Sequence, residues 1–177
     1  MIKVGQDVFV SKIPISGTGY FTMQTCFSVR EKFFLKKTVL FLKCFEDIDE
    51  SFRHKLYKYI SQEQYKNNLE DRLIIALDRF DDSEKAVVLF KFFVAHVNKE
   101  IEHQEFLRYL YVLDKVDFHS LETLKNFYSS SEQITNDSRL NSFAFLGLLQ
   151  LMTKSDIMAF GKNDFGSKFL KILELVT

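Results

Sequence analysis

Hydrophobic side chains along most of the chain recur at the spacing of an α-helix. Three stripes are especially regular: Phe52, Leu56, Tyr59 and Ile60; Leu69, Leu73, Leu77 and Phe80; Ala86, Phe90, Phe93 and Val97. Residues three and four apart share one face of a helix, so this pattern predicts packed amphipathic helices. The single proline, Pro14, lies near the start, and long helices are therefore expected after residue 20.

Capping residues predict where several helices begin. The first helix is expected over Ser28 to Phe45, and Asp49 suits the N-cap of the second. Ile101 and Phe106 have the spacing of a hydrophobic staple around another helix start. Asp117 suits the N-cap of the helix that follows. These signals divide the middle of the chain into helices joined by short polar turns.

The two ends of the chain have weaker patterns. Residues 1–26 combine extended segments with a turn-rich linker, which predicts either a small β-hairpin or a frayed N-terminal arm. Near the other end we expect a polar mobile loop over 128–138, a short helix from Arg139 to Leu148, a hairpin within 149–161 and a closing helix from Asp164 to Leu175. The predicted fold is mainly α: a bundle of six to eight helices with a small C-terminal β-hairpin and an irregular arm. Residues 27–177 are expected to form a single helical domain, in which 139–177 resemble a winged helix.

Composition and charge are those of a globular protein without a basic surplus. Hydrophobic residues make up 46% and charged residues 27% of the chain, and 24 basic residues balance 24 acidic ones. A nucleic-acid-binding protein generally carries excess positive charge to neutralise phosphates, so nucleic acid is not the expected partner of the whole chain. A local basic group remains in the C-terminal part: Lys154, Lys162, Lys168 and Lys171.

Cysteine spacing and hydropathy predict a soluble cytoplasmic protein. Cys26 and Cys44 form no C-x-x-C pair, which is typical of reduced thiols inside cells. The first residues do not have the pattern of a secretory signal, and no uncharged apolar run reaches the ~18 residues of a membrane span. The strongly apolar segment Phe33–Phe45 contains three lysines. It predicts a buried helix, with an interfacial helix as the alternative.

An acidic cluster is the one candidate metal site in the sequence, and its members are Asp78, Asp81, Asp82 and Glu84. Carboxylates bind hard cations, but this spacing is not that of a calcium loop and no glycine provides the tight turn. Asp81 and Glu84 also have the spacing of a capping box, which explains them without a ligand. We therefore expect no metal and no cofactor here.

No catalytic motif emerges from the sequence. The four histidines, His54, His96, His103 and His119, lack the spacing of a zinc site. The triplet Asp164-Phe165-Gly166 occurs without the other kinase motifs and is read as a chance match. The sequence nominates no catalytic residue, so the protein is expected not to be an enzyme.

Adjacent apolar residues in the fourth helix indicate an interaction surface. Phe92 and Phe93 point in different directions from one helix, so that helix is either central or meets a partner on one side. Tyr109 and Tyr111 complete the set of candidates for this surface. The expected partner is another protein, with a second copy of the chain as one possibility.

Two resemblances add to this picture. The turn from Ala95 to Phe106 resembles the inter-helix turn of TerB-like tellurite-resistance proteins, although Asn98 and Lys99 replace its acidic residue and glycine. This likeness covers roughly residues 69–125. A longer pattern, including Leu77–Asp82 and Gly147-Leu148-Leu149, is similar to uncharacterised bacterial helical proteins.

Three functional hypotheses follow from these observations. The first is a non-enzymatic helical protein–protein interaction module, of bacterial or phage origin and related to stress or defence. The second is nucleic-acid binding through the winged-helix-like residues 139–177. The third is association with a membrane surface through residues 19–45, where lysines flank a phenylalanine-rich helix.

Overall fold

The computed structural model describes residues 28–61, 63–154 and 157–174, apart from the side chains of 60, 63–68, 154 and 157. Within these residues the fold contains eight α-helices and a three-stranded antiparallel sheet. The predicted mainly α fold with a small C-terminal hairpin is thus confirmed. The predicted arm over residues 1–26, including Cys26, lies outside the described residues. No helix in the described ranges has the length and apolar character needed to span a membrane.

The elements follow one another in a simple order. The helices are α1 (Val29–Lys43), α2 (Glu50–Ile60), α3 (Glu63–Arg79), α4 (Glu84–Val97), α5 (His103–Lys115), α6 (Leu121–Ser129), α7 (Asn141–Phe145) and α8 (Asp164–Glu174); the strands are β1 (Ile134–Thr135), β2 (Gln150–Lys154) and β3 (Ile157–Gly161). The described chain forms two compact units: 28–90 with 97–100, and 91–96 with 101–174. They are called unit 1 and unit 2 below.

Side-chain caps fix the helix starts in unit 1. Ser28 and Glu31 form a reciprocal capping box at α1, and the Asp49 carboxylate accepts a hydrogen bond from the Phe52 N–H at 2.7 Å. The predicted capping box at α4 is wrong in detail. Asp82, two residues before Glu84, accepts the Glu84 N–H at 2.8 Å.

Unit 1 is built on contacts of α3 with both α1 and α2. Phe41 of α1 is fully buried and meets the edges of Phe45 and Phe90, at ring-centroid distances of 5.5 and 5.8 Å. The prediction of a buried helix over Phe33–Phe45 needs correction, because only Lys37, Thr38 and Phe41 of α1 are buried. The remaining side chains of this helix are partly or fully exposed.

Unit 2 combines α5 to α8 with the sheet. Ile101 and Phe106, on either side of the α5 start, are both buried, as expected of a hydrophobic staple. Asp117 caps a 3₁₀ turn that leads into α6, through a 3.0 Å bond from the His119 N–H. The predicted helix from Arg139 to Leu148 is shorter in the structure, where a 3₁₀ turn precedes the five residues of α7.

The sheet has the strand order β1-β3-β2. The β2–β3 hairpin pairs Gln150 with Gly161 and Lys154 with Ile157. β1 lies inside the segment that was predicted as a mobile loop, and Thr135 pairs with Phe160 of β3. Local sequence gave no sign of this strand, although the mobility of the rest of 128–138 stays a prediction.

A close approach holds the start of α8 in place. Asn163 caps this helix by accepting the Gly166 N–H at 2.7 Å. The Tyr128 hydroxyl donates to the Leu148 carbonyl at 2.7 Å and accepts the Asn163 N–H at 3.1 Å. A Cβ atom at Gly166 would overlap the Leu148 carbonyl and the Tyr128 hydroxyl, so a residue without a side chain is required at this point.

Candidate functional site

The carboxylates of the predicted acidic cluster do not converge on a common point. Asp78 forms a two-pronged ion pair with Arg30 of α1. Asp81 lies 2.6 Å from the Lys85 ammonium, and Asp82 accepts the backbone N–H of Glu84. In the part of the chain that the structure describes, no three metal-ligating side chains come together. The geometry therefore assigns three of these four residues to ion pairing and capping.

Two buried lysines stabilise the same turn. The Lys37 ammonium donates to the carbonyls of Asp78 and Phe80, at 3.1 and 2.6 Å, just where α3 ends. Burial lowers the pKa of Lys37, and the nearby carboxylates of Asp78 and Asp81 oppose this effect. Lys85 is fully buried, and its hydrogen bond holds the pKa of Asp81 below the ordinary value. Lys37 thus satisfies carbonyls of the turn, and Lys85 neutralises the charge of Asp81.

Three of the four predicted interaction residues belong to the core of unit 2, which corrects that part of the prediction. Phe92, Phe93 and Tyr109 are buried, and Phe92 stacks on Phe169 with the ring centroids 5.2 Å apart. Both adjacent phenylalanines of α4 are thus buried in unit 2, which corresponds to the first of the two alternatives for this part of the helix. Of the four candidates, Tyr111 alone is exposed.

The Tyr109 hydroxyl makes its hydrogen bonds within the protein. It lies 3.2 Å from the Glu105 carboxylate and 3.3 Å from the Phe165 carbonyl. Burial raises the pKa of Tyr109, and the nearby Glu105 raises it further. This hydroxyl stays protonated over the physiological pH range and has a structural role.

Exposed apolar side chains concentrate on the C-terminal part of unit 2. Leu151 on β2 and Met158 on β3 are 51% and 48% exposed, and Phe145 at the end of α7 is 79% exposed. Leu151 pairs with Phe160, two residues beyond Met158, so Leu151 and Met158 lie on the same face of the hairpin. We call Leu151 and Met158 the hairpin patch.

β2 is also an edge strand of this sheet. In the strand order β1-β3-β2 its only partner among the described residues is β3. Half of the backbone N–H and C=O groups of an edge strand point away from the sheet and are open to another strand. The hairpin patch thus adjoins a backbone edge that can form further hydrogen bonds.

The basic residues of the C-terminal part are mostly occupied within the protein. Lys162 donates to the Ser130 carbonyl at 2.7 Å, and Lys168 pairs with Glu105 at 2.8 Å. Arg139 pairs with Asp137, which lowers the pKa of that carboxyl group. Lys171 is exposed, and the side chain of Lys154 lies outside the described residues. Two of the four lysines in the predicted basic group are thus engaged by other groups of the protein.

The structure also brings together two histidines that sequence spacing did not pair. His96 Nδ1 lies 3.3 Å from the Ile101 carbonyl, and its Nε2 lies 3.5 Å from His103 Nδ1. The His96 ring stacks on Phe106 at 4.9 Å, and burial lowers the pKa of His96. The two histidines are seven residues apart across a turn, so helical spacing gave no signal for this pair.

Comparisons with known proteins leave these features unassigned. No family model matches the chain, and neither a curated protein nor a solved structure does. The resemblance to TerB-like and other bacterial helical proteins stays a prediction.

Proposed function

We propose that this chain is a non-enzymatic protein-binding module whose partner docks on the C-terminal sheet of unit 2. The observation that carries the proposal is the hairpin patch, two large apolar side chains exposed side by side on one face. Diagonal neighbours on adjacent strands lie about 7–8 Å apart, so Leu151 and Met158 offer one continuous contact. Exposed apolar side chains that form a contiguous patch are typical of interaction sites, whereas isolated ones are common on any protein surface.

The open backbone edge of β2 indicates what kind of partner segment can bind there. An extended segment that adds to this edge makes main-chain hydrogen bonds to β2 and places alternate side chains on the hairpin face. We infer that the partner contributes a strand with apolar residues at every second position. A cytoplasmic location and a role in stress or defence remain parts of the proposal that need separate tests.

Nucleic-acid binding through residues 139–177 has less support. The short helix α7 contains no basic residue, and Arg139 just before it is paired with Asp137. A protein that binds a duplex needs cations free to meet phosphates, whereas Lys162 and Lys168 are engaged within the protein. Fluorescence anisotropy with a labelled duplex at low ionic strength measures this alternative directly.

A pull-down with matched variants tests the proposal. The full chain is compared with the double variant Leu151→Ser/Met158→Ser, which removes the hairpin patch. The control is Tyr57→Ser/Ile75→Ser, which removes two exposed apolar side chains from α2 and α3 instead. We expect the hairpin variant to lose a partner that both the unaltered chain and the control retain, by about tenfold or more for two interface residues.

Two results would contradict the proposal. One is a set of bound proteins that is the same for the hairpin variant and the unaltered chain. The other is equal loss in both double variants, which would indicate non-specific adhesion to apolar surface. Circular dichroism verifies that each variant keeps its helical content.

A further inference from the structure

Helix α1 carries a second exposed surface, distinct from the hairpin patch in composition. Its residues are Val29, Lys32, Lys36, Val39 and Lys43, all of them exposed. At 3.6 residues per turn these five positions fall within an arc of about 80°, and they extend about 21 Å along the helix axis. We call this surface the α1 stripe.

The α1 stripe is purely cationic and apolar. The one acidic residue of α1, Glu31, lies about 120° away from the middle of the stripe, and its carboxylate accepts the Ser28 N–H. Val29 is 85% exposed and Val39 is 46% exposed, and these two valines lie at the two borders of the stripe with the three lysines between them. Phe33 and Leu40, which are half-buried, border one side of the stripe.

Three other basic groups close to the α1 stripe are engaged within the protein. Lys37 and Lys85 are buried, and Arg30 pairs with Asp78. Lys36 and Lys43 make no ion pair with any carboxylate in the ranges that the structure describes. The positive charge of Lys36 and Lys43 is therefore not explained by an ion pair among the described residues.

We propose that the α1 stripe binds an anionic lipid surface. Lysines keep their ammonium groups among lipid headgroups while the bordering valine and phenylalanine side chains enter the boundary below, so a row of lysines with apolar borders suits an anionic bilayer. A nucleic-acid backbone would meet the lysines but offers nothing to the exposed valines. The proposal narrows the predicted membrane-surface segment 19–45 to one face of α1, and it is independent of the partner proposed for the hairpin patch.

Co-sedimentation of the full chain with vesicles tests this inference. Vesicles of phosphatidylcholine alone are compared with vesicles that also contain phosphatidylserine, at low and at high salt. We expect binding to the anionic vesicles only, and weaker binding as salt screens the charges. The triple variant Lys32→Glu/Lys36→Glu/Lys43→Glu should reduce binding by at least about tenfold, since each lysine near an anionic surface contributes a few-fold.

A matched control makes the charge effect specific to the α1 stripe. The triple variant Lys58→Glu/Arg72→Glu/Lys171→Glu changes the net charge equally at exposed positions on other helices, and it should bind nearly as well as the unaltered chain. A further variant, Val29→Ser/Val39→Ser, keeps every charge and should weaken binding by roughly threefold or more.

Each alternative outcome contradicts the inference. Failure to bind anionic vesicles at low salt would overturn it, as would equal loss in the two triple variants. Unchanged vesicle binding of the Val29→Ser/Val39→Ser variant would mean that only electrostatic attraction holds the protein on the vesicle. It would rule out insertion of the valine side chains into the bilayer. Binding to a labelled nucleic-acid duplex without binding to vesicles would assign the α1 stripe to a different polyanion.

Discussion

At the scale of single residues, buried cations are the most constrained feature of the described chain. Lys85 is fully buried, while its partner Asp81 is largely exposed and lies 2.6 Å away. Removing one member of such a pair leaves the other charge without compensation, whereas replacing both avoids this penalty. The two members of the pair therefore differ in how they tolerate substitution.

We expect Asp81→Asn to destabilise the protein by about 2 kcal/mol or more, because the Lys85 ammonium then stays buried without a counter-charge. Lys85→Met should be milder, since methionine fills similar space without a charge. Urea unfolding of both single variants and of the double variant measures the coupling. A double variant as unstable as the sum of the two singles would show that the ion pair has no such role.

His96 gives unit 2 a specific dependence on pH. Its Nδ1 must donate to the Ile101 carbonyl, which leaves Nε2 of the neutral ring to accept from His103. Burial lowers the pKa of His96 in the folded state below its ordinary value of 6.5. The unfolded chain therefore binds this proton more readily, and the free energy of unfolding decreases as pH falls through 6.5.

The His96→Gln variant should lose most of this dependence between about pH 7 and pH 5. The exposed His119 provides the control, because His119→Gln should keep the slope of the unaltered chain. Chemical denaturation at a series of pH values gives the free energies of unfolding. The same slope in all three proteins would show that His96 does not cause the effect. Asp49, Asp81 and Asp137, whose pKa values are lowered, contribute only at more acidic pH.

At the scale of elements, lysines repeatedly complete the ends of helices. Lys37 binds the Phe80 carbonyl just after α3, Lys162 binds the Ser130 carbonyl after α6, and Lys91 binds the Leu173 carbonyl in the last turn of α8. The last carbonyls of a helix have no partner within it and attract cations. These three lysines thus have structural roles, so a count of charges alone reveals little about binding.

Glycine at the start of α8 is expected to be essential to unit 2. Gly166→Ala should cost about 3 kcal/mol or more, because the new Cβ meets the Leu148 carbonyl, and backbone cannot move aside cheaply. Gly161→Ala is a suitable comparison, since its Cβ meets the flexible end of Met152. Thermal unfolding of both variants should rank Gly166→Ala as clearly less stable. Equal effects would mean that this close approach relaxes easily.

Sequence patterns best predicted those structural features that depend on residues close together along the chain. The start of α1 near Ser28, the N-cap Asp49 and the hairpin within 149–161 were predictable because capping, periodicity and turns are local. β1 was not predictable, since two residues become a strand only by pairing with a distant one. The Arg30–Asp78 ion pair likewise joins positions 48 residues apart.

At the scale of the whole molecule, the candidate sites depend on which apolar residues remain outside the core. From hydrophobicity alone, Phe92, Phe93 and Tyr109 were predicted as interaction residues, but they are buried. Leu151 and Met158 were not predicted, but they are exposed. Sequence cannot separate these sets because both consist of large apolar residues in regular elements. Exposure is decided by tertiary packing, and the hairpin patch emerged only from the fold.

Site-specific photo-crosslinking from the hairpin patch tests the proposed function most directly. A photoreactive phenylalanine analogue replaces Leu151 in the full chain, and, as the control, Ile75 on α3, which is exposed to the same extent. On irradiation in cells, position 151 should give a discrete adduct with a partner protein or a second copy, and position 75 should not. An absence of adducts at 151, or identical adducts at both positions, would contradict the assignment of the C-terminal sheet as the partner-binding surface.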